Sequence, residues 1–449
     1  MSRRVLVVGL RMTGLATARA LLAGGDAVTV VEERPGQPGY DDRVAEVLAA
    51  GAALVEAPAV GDWPALVAAS DLVVPSPGVA PGHPVLVAAD AAGTPVRGDV
   101  DLAVEAATVP VCVVTGTNGK TTVTTLVAAM LEASGVRAPA AGNIGWALLD
   151  AVRRPMDVLV AEVSSFQLHT TTSTFAPRVT VLLNVADDHI DWHGSFEEYA
   201  EAKARSFRFQ GPDDLLVFNA DDPEVVRLAA RAPGRRIACS TDPGASDGYR
   251  VSDGGLVTAE GERLIEIADL PMRAPHDLAN ALAASAAALD LGATPDGVRA
   301  ALRAATRLHH RVEPIGETRG VRFIDDSKAT NPHATITAVA GFERSVLIAG
   351  GRNKGIDLGV LRPLAPRLAG VVAIGDAAPE VEAAFAGAVP TERAGSMRDA
   401  VRAAAAMAQD GDVVLLSPAC ASFDWYRSYE ERGDDFRAEV EALIAEDAR

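Results

Sequence analysis

Along almost the whole chain, short Val/Ile/Leu runs take turns with alanine-rich amphipathic stretches. A run that is apolar on both faces reads as a buried strand, and such strands belong to parallel sheets covered by helices. The alternation predicts βα units and an α/β fold. Residues 5–9 and 27–31 form a first pair of strands, with 15–22 as the helix between them. A second set occupies 109–115, 157–161, 179–184 and 215–219, and a third 321–324, 345–349, 371–374 and 413–416. Between Pro233 and Pro271 the texture turns polar and Gly-rich, which predicts antiparallel strands decorating the middle set, as at 255–258 and 263–267. The rhythm breaks at 93–98 and 306–314, so the expected domains are 1–98, 99–308 and 309–449. A length of 449 residues fits roughly three domains at about 150 residues each.

Charge narrows the function. With 41 basic and 60 acidic residues the net charge is −19, which argues against a surface built to grip a phosphate backbone. Small anionic ligands remain possible, because they need only a local nest of donors. Three cysteines, an odd number, make no disulfide framework and suit a reducing cytosol. The basic start and the apolar run at 5–8 imitate a signal peptide, but Gly9, Arg11 and Arg19 soon interrupt the apolar character, so a first strand is the reading. No run approaches the roughly 20 apolar residues of a membrane span. The alanine-rich stretch at 279–288 holds Asn280 and Ser285 and reads as a soluble core helix. Aromatic residues are only 4%, so the core must be aliphatic.

The sharpest local motif is Thr115-Gly116-Thr117-Asn118-Gly119-Lys120-Thr121-Thr122, between an apolar strand and a helix. A glycine loop at a helix N-terminus offers backbone N–H groups and the positive dipole end to phosphate. Lys120 would reach the β- and γ-phosphates, and the Thr121 hydroxyl would take Mg²⁺. Val114 stands where the longer motif has its first glycine, so this is a shortened form; the bland alternative is a glycine-rich turn. Glu162 ends the strand at 157–161, where a carboxylate could hold Mg²⁺ or simply cap a helix. Residues 183–193 gather three acids with His189 and His193, a set of ligands for a hard cation or a solvated loop, with no zinc spacing. Lys203, on a helix over 196–207, reads from physics alone as a partner for glutamates at 198–201.

At the N-terminus, Gly9-Leu10-Arg11-Met12-Thr13-Gly14 keeps the outer glycines of a dinucleotide fingerprint but puts Arg11 at the middle one. A bulky residue there keeps a pyrophosphate at a distance, which argues against NAD. Glu32 and Glu33 could still meet a ribose or base. In the last domain the strands end in Asp325-Asp326-Ser327-Lys328, Gly350-Gly351-Arg352-Asn353-Lys354, Gly375-Asp376 and Ser417-Pro418-Ala419-Cys420. Parallel sheets bind ligands at the carboxyl ends of their strands, and these donors suit a small anion. Cys420 has no marked base and reads as a buried structural thiol.

Together these motifs resemble the Mur ligase family over nearly the whole chain. The resemblance rests on 116–121, Gly142-Asn143-Ile144-Gly145, 162–168, 183–191, Lys203, 326–331, 350–355 and 417–424. The phosphate loop is shared with folylpolyglutamate synthases, whereas Asp326-Ser327-Lys328-Ala329-Thr330-Asn331 and Ser417-Pro418-Ala419-Cys420-Ala421-Ser422 look like the D-glutamate-adding member. The resemblance implies three domains: an N-terminal Rossmann-like one for the UDP substrate, a central P-loop ATPase-type sheet, and a C-terminal Rossmann-like one for the amino acid. It implies that Gly116, Thr117, Asn118, Gly119, Lys120, Thr121 and Thr122 hold ATP, framed by Asn143, Asn280, Arg311 and Asp326. Thr121, Glu162, His189 and a carbamylated Lys203 would bind two Mg²⁺ ions. Thr13, Gly14, Glu32, Ser76, Gly78, Ser164 and Gln167 would serve UDP-N-acetylmuramoyl-L-alanine, and Lys328, Thr330, Lys354, Ser422, Phe423 and Tyr429 would surround D-glutamate. Arg11 replaces a usual glycine, Glu32-Glu33 a usual Asp-Thr pair, and Asp277 a usual asparagine.

The implied activity is ATP-dependent amide-bond formation through an acyl phosphate, by a cytoplasmic monomer with no nucleic-acid or membrane partner. The nearest rival is a ligase of the same family adding another amino acid, or glutamate to a folate. The absence of an Asp-Asn-Pro-Arg run weighs against the diaminopimelate-adding type. A nucleotide-gated binding protein without turnover is a rival of another class, and an NAD oxidoreductase is the third.

Overall fold

The computed structural model describes residues 2–448. They form two compact units, one of residues 2–185, 197–273 and 277–305, the other of 186–196, 274–276 and 306–448.

The first unit carries two sheets. A four-stranded parallel sheet runs in the order Ala53–Glu56, Ala27–Glu32, Arg4–Val8, Leu72–Pro75. In a nine-stranded sheet Val111–Thr115 is the third strand from one edge, between Leu159–Glu162 and Val179–Leu182. All five side chains of Val111–Thr115 are buried, as its unbroken apolar run requires. Alternate residues face two cores. Cys112 and Val114 pack with the helices Lys120–Ala133 and Pro275–Asp290, while Val111 and Val113 share a core with Val5, Val7, Val28 and Val30 of the smaller sheet. The two sheets of this unit are thus joined by common apolar packing.

The polar stretch after Pro233 differs from expectation. Arg235–Ser240 lies parallel to Leu215–Asn219, and Tyr249–Ser252 lies parallel to Arg235–Ser240; only Gly255–Val257 and Arg263–Glu266 are antiparallel additions. The reason is turn chemistry. Asp253 and Gly254 both have positive φ (47° and 76°), the two-residue turn that closes a right-twisted hairpin. No such turn precedes Tyr249, so the chain crosses over, and only Cys239–Tyr249 and Ser240–Arg250 pair.

The second unit holds a six-stranded sheet in the order Glu313–Thr318, Val321–Asp325, Val413–Ala419, Ser345–Gly350, Leu368–Ile374, Thr391–Arg393, with only the first strand antiparallel. Its faces bury Leu347, Val371 and Leu415 on one side and Phe323, Ile348 and Leu416 on the other, the latter beneath Phe436 and Val440 of the helix Tyr429–Asp447. Among the described residues no helix is long and apolar enough to cross a membrane.

Candidate active site

At the carboxyl edge of the four-stranded sheet the chain turns through Gly9, with φ +93°. Gly14, on the helix Met12–Ala23, lies so close to the Gly9 carbonyl that any Cβ there would overlap it. Ser76 comes just after the neighbouring strand; its N–H donates to the Val8 carbonyl at 2.8 Å, and its Oγ is buried without a hydrogen-bond partner. Glu32 is engaged by backbone, accepting from the Leu10 N–H at 2.8 Å and the Arg34 N–H at 2.9 Å. It shapes the glycine loop from the adjacent strand. Thr13 sits in the first turn of the helix, and its carbonyl accepts from Thr17 Oγ1 at 2.8 Å. Gly78 lies just beyond Ser76, and Arg11, which is exposed, occupies the N-cap without a side-chain cap bond.

In the larger sheet the loop 116–119 leaves the strand at which connections diverge to either side, where open parallel sheets bind ligands. Gly116 (φ +155°) and Gly119 (φ +84°) adopt backbone that other residues rarely do. A Cβ on Gly119 would lie 2.7 Å from Asn280 Oδ1 and one on Gly116 2.9 Å from Leu183 Cβ. Asn184 braces the loop: its Oδ1 accepts from the Asn118 N–H at 2.7 Å, its Nδ2 donates to the Asn118 carbonyl at 3.1 Å, and its carbonyl accepts from the Thr117 N–H at 2.9 Å. Lys120 Nζ folds back onto the carbonyls of Gly116 (2.9 Å) and Thr117 (2.8 Å). Thr121 and Thr122 occupy the first turn of Lys120–Ala133.

Lys203 is not a solvated helix lysine. It is 1% exposed, donates to the same Gly116 carbonyl at 2.8 Å and lies 4.4 Å over the Tyr199 ring. The Tyr199 hydroxyl in turn stands 3.0 Å from Thr117 Oγ1. The reason is helical spacing: on the helix Phe196–Ala204, three residues shorter than the expected 196–207, Tyr199 and Lys203 lie four residues apart and both are buried, while Glu201 pairs outward with Arg208 at 2.9 Å and with Arg231.

Glu162 is in register with Val114 on the neighbouring strand Val111–Thr115. Its Oε1 accepts from Asn143 Nδ2 at 2.8 Å, and its Oε2 is buried with no hydrogen-bond partner. Two residues on, Ser164 and Gln167 form a reciprocal cap, the Ser164 hydroxyl accepting from the Gln167 N–H and the Gln167 amide oxygen from the Ser164 N–H at 3.1 Å. The other end of that amide donates to Asp99 Oδ2 at 3.0 Å. Gln167 is therefore fully engaged in structure. Burial pushes the Asp99 carboxyl up to about 6, against the Gln167 hydrogen bond.

In the second unit Asp326 ends its strand region with its N–H on the Leu416 carbonyl. Its carboxylate accepts from Ser417 Oγ at 2.8 Å and the Val312 N–H at 3.2 Å, and burial pushes it up to about 7 although Ser417 and the Arg311 charge pull it down. Lys328 Nζ lies 3.6 Å over the Tyr429 ring, and the Thr330 N–H donates to the Lys328 carbonyl. Lys354 Nζ pairs with Asp188 at 2.8 Å, and Asn331 Nδ2 holds the other oxygen at 3.1 Å. His189, next to Asp188, has left-handed backbone (φ +54°), with Nε2 3.6 Å from that carboxylate. Ser422 is buried, whereas Phe423 is 64% exposed. Cys420 is buried, and burial raises its thiol to about 12, which makes it inert.

Three family models cover nearly the whole chain: "Mur ligase MurD-like, N-terminal domain" at 3–98, "Mur ligase middle domain" at 114–288 and "Mur ligase, glutamate ligase domain" at 310–420. The UDP-N-acetylmuramoylalanine–D-glutamate ligase of Frankia casuarinae is 46% identical, covering 98% of this chain and 94% of its own. The ligase of the same name from Desulfosudis oleivorans is 41% identical, with 98% and 97% covered. The chain belongs to the Mur ligase family. The fold agrees: a MurF ligase from Thermotoga maritima, solved in complex with ADP, superposes with a TM-score of 0.60 at 18% identity, covering 98% of this chain and 99% of that one.

Arg432 lies outside every sequence motif, and Asn184 and Asp188, although inside the 183–193 stretch, had no role of their own assigned there. Asn184 shapes the phosphate loop, and an asparagine just after a buried strand was its one signal. Asp188 is the partner of Lys354. Arg432, 1% exposed, donates to Ser327 Oγ at 2.9 Å, the Ser327 carbonyl at 2.8 Å and the Cys420 carbonyl at 3.1 Å. Its signal was a charge four residues before Phe436 on the apolar face of the last helix.

Proposed function

We propose that this Mur ligase joins D-glutamate to UDP-N-acetylmuramoyl-L-alanine with hydrolysis of ATP to ADP and phosphate, in peptidoglycan precursor synthesis. The observation that carries the reading is the 41–46% identity, over 98% of the chain, to enzymes bearing that name. In the reaction the alanyl carboxylate oxygen attacks the γ-phosphorus, the bond to the bridging oxygen breaks, and ADP leaves. The D-glutamate amine then attacks the acyl carbon, a C–N bond forms, phosphate departs and the amine loses a proton.

The chain's own groups suit each part. The loop amides from Gly116 to Thr121, with Lys120, would hold the phosphates and oppose the charge that grows on the transferring phosphoryl group. Asn143, Asn280, Arg311 and Asp326 would frame the nucleotide. Ser76, with its unpaired buried hydroxyl, supports a polar ligand at the glycine loop of the first sheet. Lys354 and Lys328 would receive the D-glutamate carboxylates, Lys354 exchanging Asp188 for substrate.

The Glu162 oxygen that is buried without a partner fits a hard cation, which would satisfy it, and Thr121, Glu162 and His189 are oxygen and nitrogen donors of the right kind. Bound Mg²⁺ would neutralise phosphoryl and carboxylate oxygens that otherwise repel. Lys203 and Lys120 crowd one carbonyl as two cations. Addition of CO₂ to the Lys203 amine, forming an N–C bond and releasing a proton, would turn one of them into an anionic ligand. The reading includes a cytoplasmic monomer; its −19 charge supports the absence of a nucleic-acid partner.

The test is ADP release from purified protein with ATP, Mg²⁺ and UDP-N-acetylmuramoyl-L-alanine. D-Glutamate should trigger it, while L-glutamate, diaminopimelate and lysine should not. Release that ignores D-glutamate, or responds to another amino acid instead, sinks the assignment.

A further inference from the structure

Arg311 sits in a turn that its own residues do not favour. His310 on one side has φ +60° and Val312 on the other φ +48°, both left-handed and neither glycine. Side chains with a Cβ are disfavoured in that region, a β-branched valine most of all, so the turn persists only if its surroundings hold it.

The holding is visible. His310 Nδ1 lies 2.7 Å from Asp325 Oδ2, with both residues buried. The His310 N–H donates to Glu313 Oε2 at 3.0 Å, and the His310 carbonyl accepts from the Lys328 N–H at 3.1 Å. On the far side of Arg311 the Val312 N–H donates to Asp326 Oδ1 at 3.2 Å. Consecutive aspartates at the end of one strand thus fix the two flanks of Arg311. The helix Tyr429–Asp447 closes the clamp from behind. Gly433 is buried in its second turn, where a Cβ would overlap His310 Nδ1 and come within 2.7 Å of Asp325 Oδ2. A glycine inside a helix weakens it relative to alanine, and here it admits the imidazole. The Tyr429 ring, which carries Lys328 Nζ on its face, meets the His310 ring edge-on at 6.1 Å.

His310, Glu313 and Asp325 also bring ligand-type atoms within 4.8 Å of one another. Those atoms are already committed: Glu313 Oε1 takes Arg437 at 2.6 Å, and its Oε2 takes the His310 N–H. The cluster is a brace.

We propose that His310 is a positioning residue for Arg311: held between Asp325 and the Gly433 turn, it keeps the strained backbone from which Arg311 is presented to the nucleotide. The proposal rests on the reading of Arg311 as an ATP contact. Asp325 and Gly433 act through His310, and none of the three needs to touch substrate.

Steady-state kinetics of the full chain test it, with thermal unfolding of every variant in parallel. His310→Ala should raise the KM for ATP by about 10- to 100-fold, the scale of one charge-assisted hydrogen bond, with the KM for D-glutamate little changed. His310→Asn, whose side-chain amide can stand where Nδ1 stood, should restore most of the loss. The double variant His310→Ala/Arg311→Ala should be no worse than Arg311→Ala, because the first change acts only through the second residue. The inference is overturned if Arg311→Ala raises the KM for ATP while His310→Ala and His310→Asn do not, or if the two losses multiply. If Arg311→Ala leaves that KM unchanged, the nucleotide role of Arg311 fails, and the inference with it.

Discussion

Replacing Asp326 by asparagine should stabilise the protein at alkaline pH while weakening its use of ATP. Burial raises this carboxyl from 3.8 to about 7. Because the folded value exceeds the unfolded one, the contribution to stability is complete below pH 3.8 and is lost as pH rises through about 7. The gap of roughly three units corresponds to about 4 kcal/mol once the loss is complete. Asparagine never ionises and escapes it. Its amide must donate where the carboxylate accepted, but Ser417 Oγ, 3.2 Å from Thr335 Oγ1, can turn to donate there and accept from the amide. That rearrangement costs about 1 kcal/mol. The net gain at pH 8.5 is about 3 kcal/mol, or about 6–12 °C in melting temperature for a unit of this size. At pH 5 only about 1.6 kcal/mol of the loss has accumulated, so the lead shrinks to about 1 kcal/mol or less. Calorimetric melts of both proteins from pH 5 to 9 read this directly. A lead that does not grow with pH, or a variant that melts lower at pH 8.5, would refute the account of Asp326 as a carboxylate held against its burial.

Lys120→Ala should cut D-glutamate-dependent ADP release by about 10²- to 10³-fold, as loss of one charge-stabilising donor does in other enzymes; full activity would remove the loop from the chemistry. Gln167→Met keeps volume and the Ser164 bond to the backbone N–H, but deletes the side-chain acceptor for the Ser164 N–H and the donor to Asp99, so a loss of about 2 kcal/mol is expected in denaturant unfolding. Substrate affinity should rise from very low to moderate salt, because three anionic substrates approach a chain of net charge −19, and a steady fall with added salt counts against this.

Strands buried on both faces were legible because their side chains are almost all apolar, as in Val111–Thr115 and Ser345–Gly350. Edge strands were not: Ala53–Glu56 and Thr391–Arg393 mix exposed and half-buried residues, and Leu72–Pro75 is only four residues ending in proline. Strand direction after Pro233 escaped the pattern because alternation of side chains is the same in parallel and antiparallel pairs; only the Asp253-Gly254 turn distinguishes them. At the phosphate loop, glycine, lysine and threonine announce their chemistry through backbone demands that few other residues meet. Lys203 did not, since a lysine among glutamates looks the same from the sequence whether it faces water or a buried carbonyl. Arg432 and Asn184 act by bracing other loops, and such bracing depends on contacts between residues far apart in the chain.

The second unit is assembled from three separate stretches of chain, and the short one at 186–196 contributes the carboxylate that Lys354 and Asn331 grasp. A fragment cut at residue 306 would therefore leave behind part of what it needs, the Asp188 anchor for two of its own side chains. Anyone expressing the C-terminal region alone, or grafting it onto a relative to exchange amino-acid preference, would have to carry that insert at 186–196 along or rebuild its anion. Evolution by simple shuffling of this module faces the same obstacle, so changes of specificity should come more easily by point substitution within it.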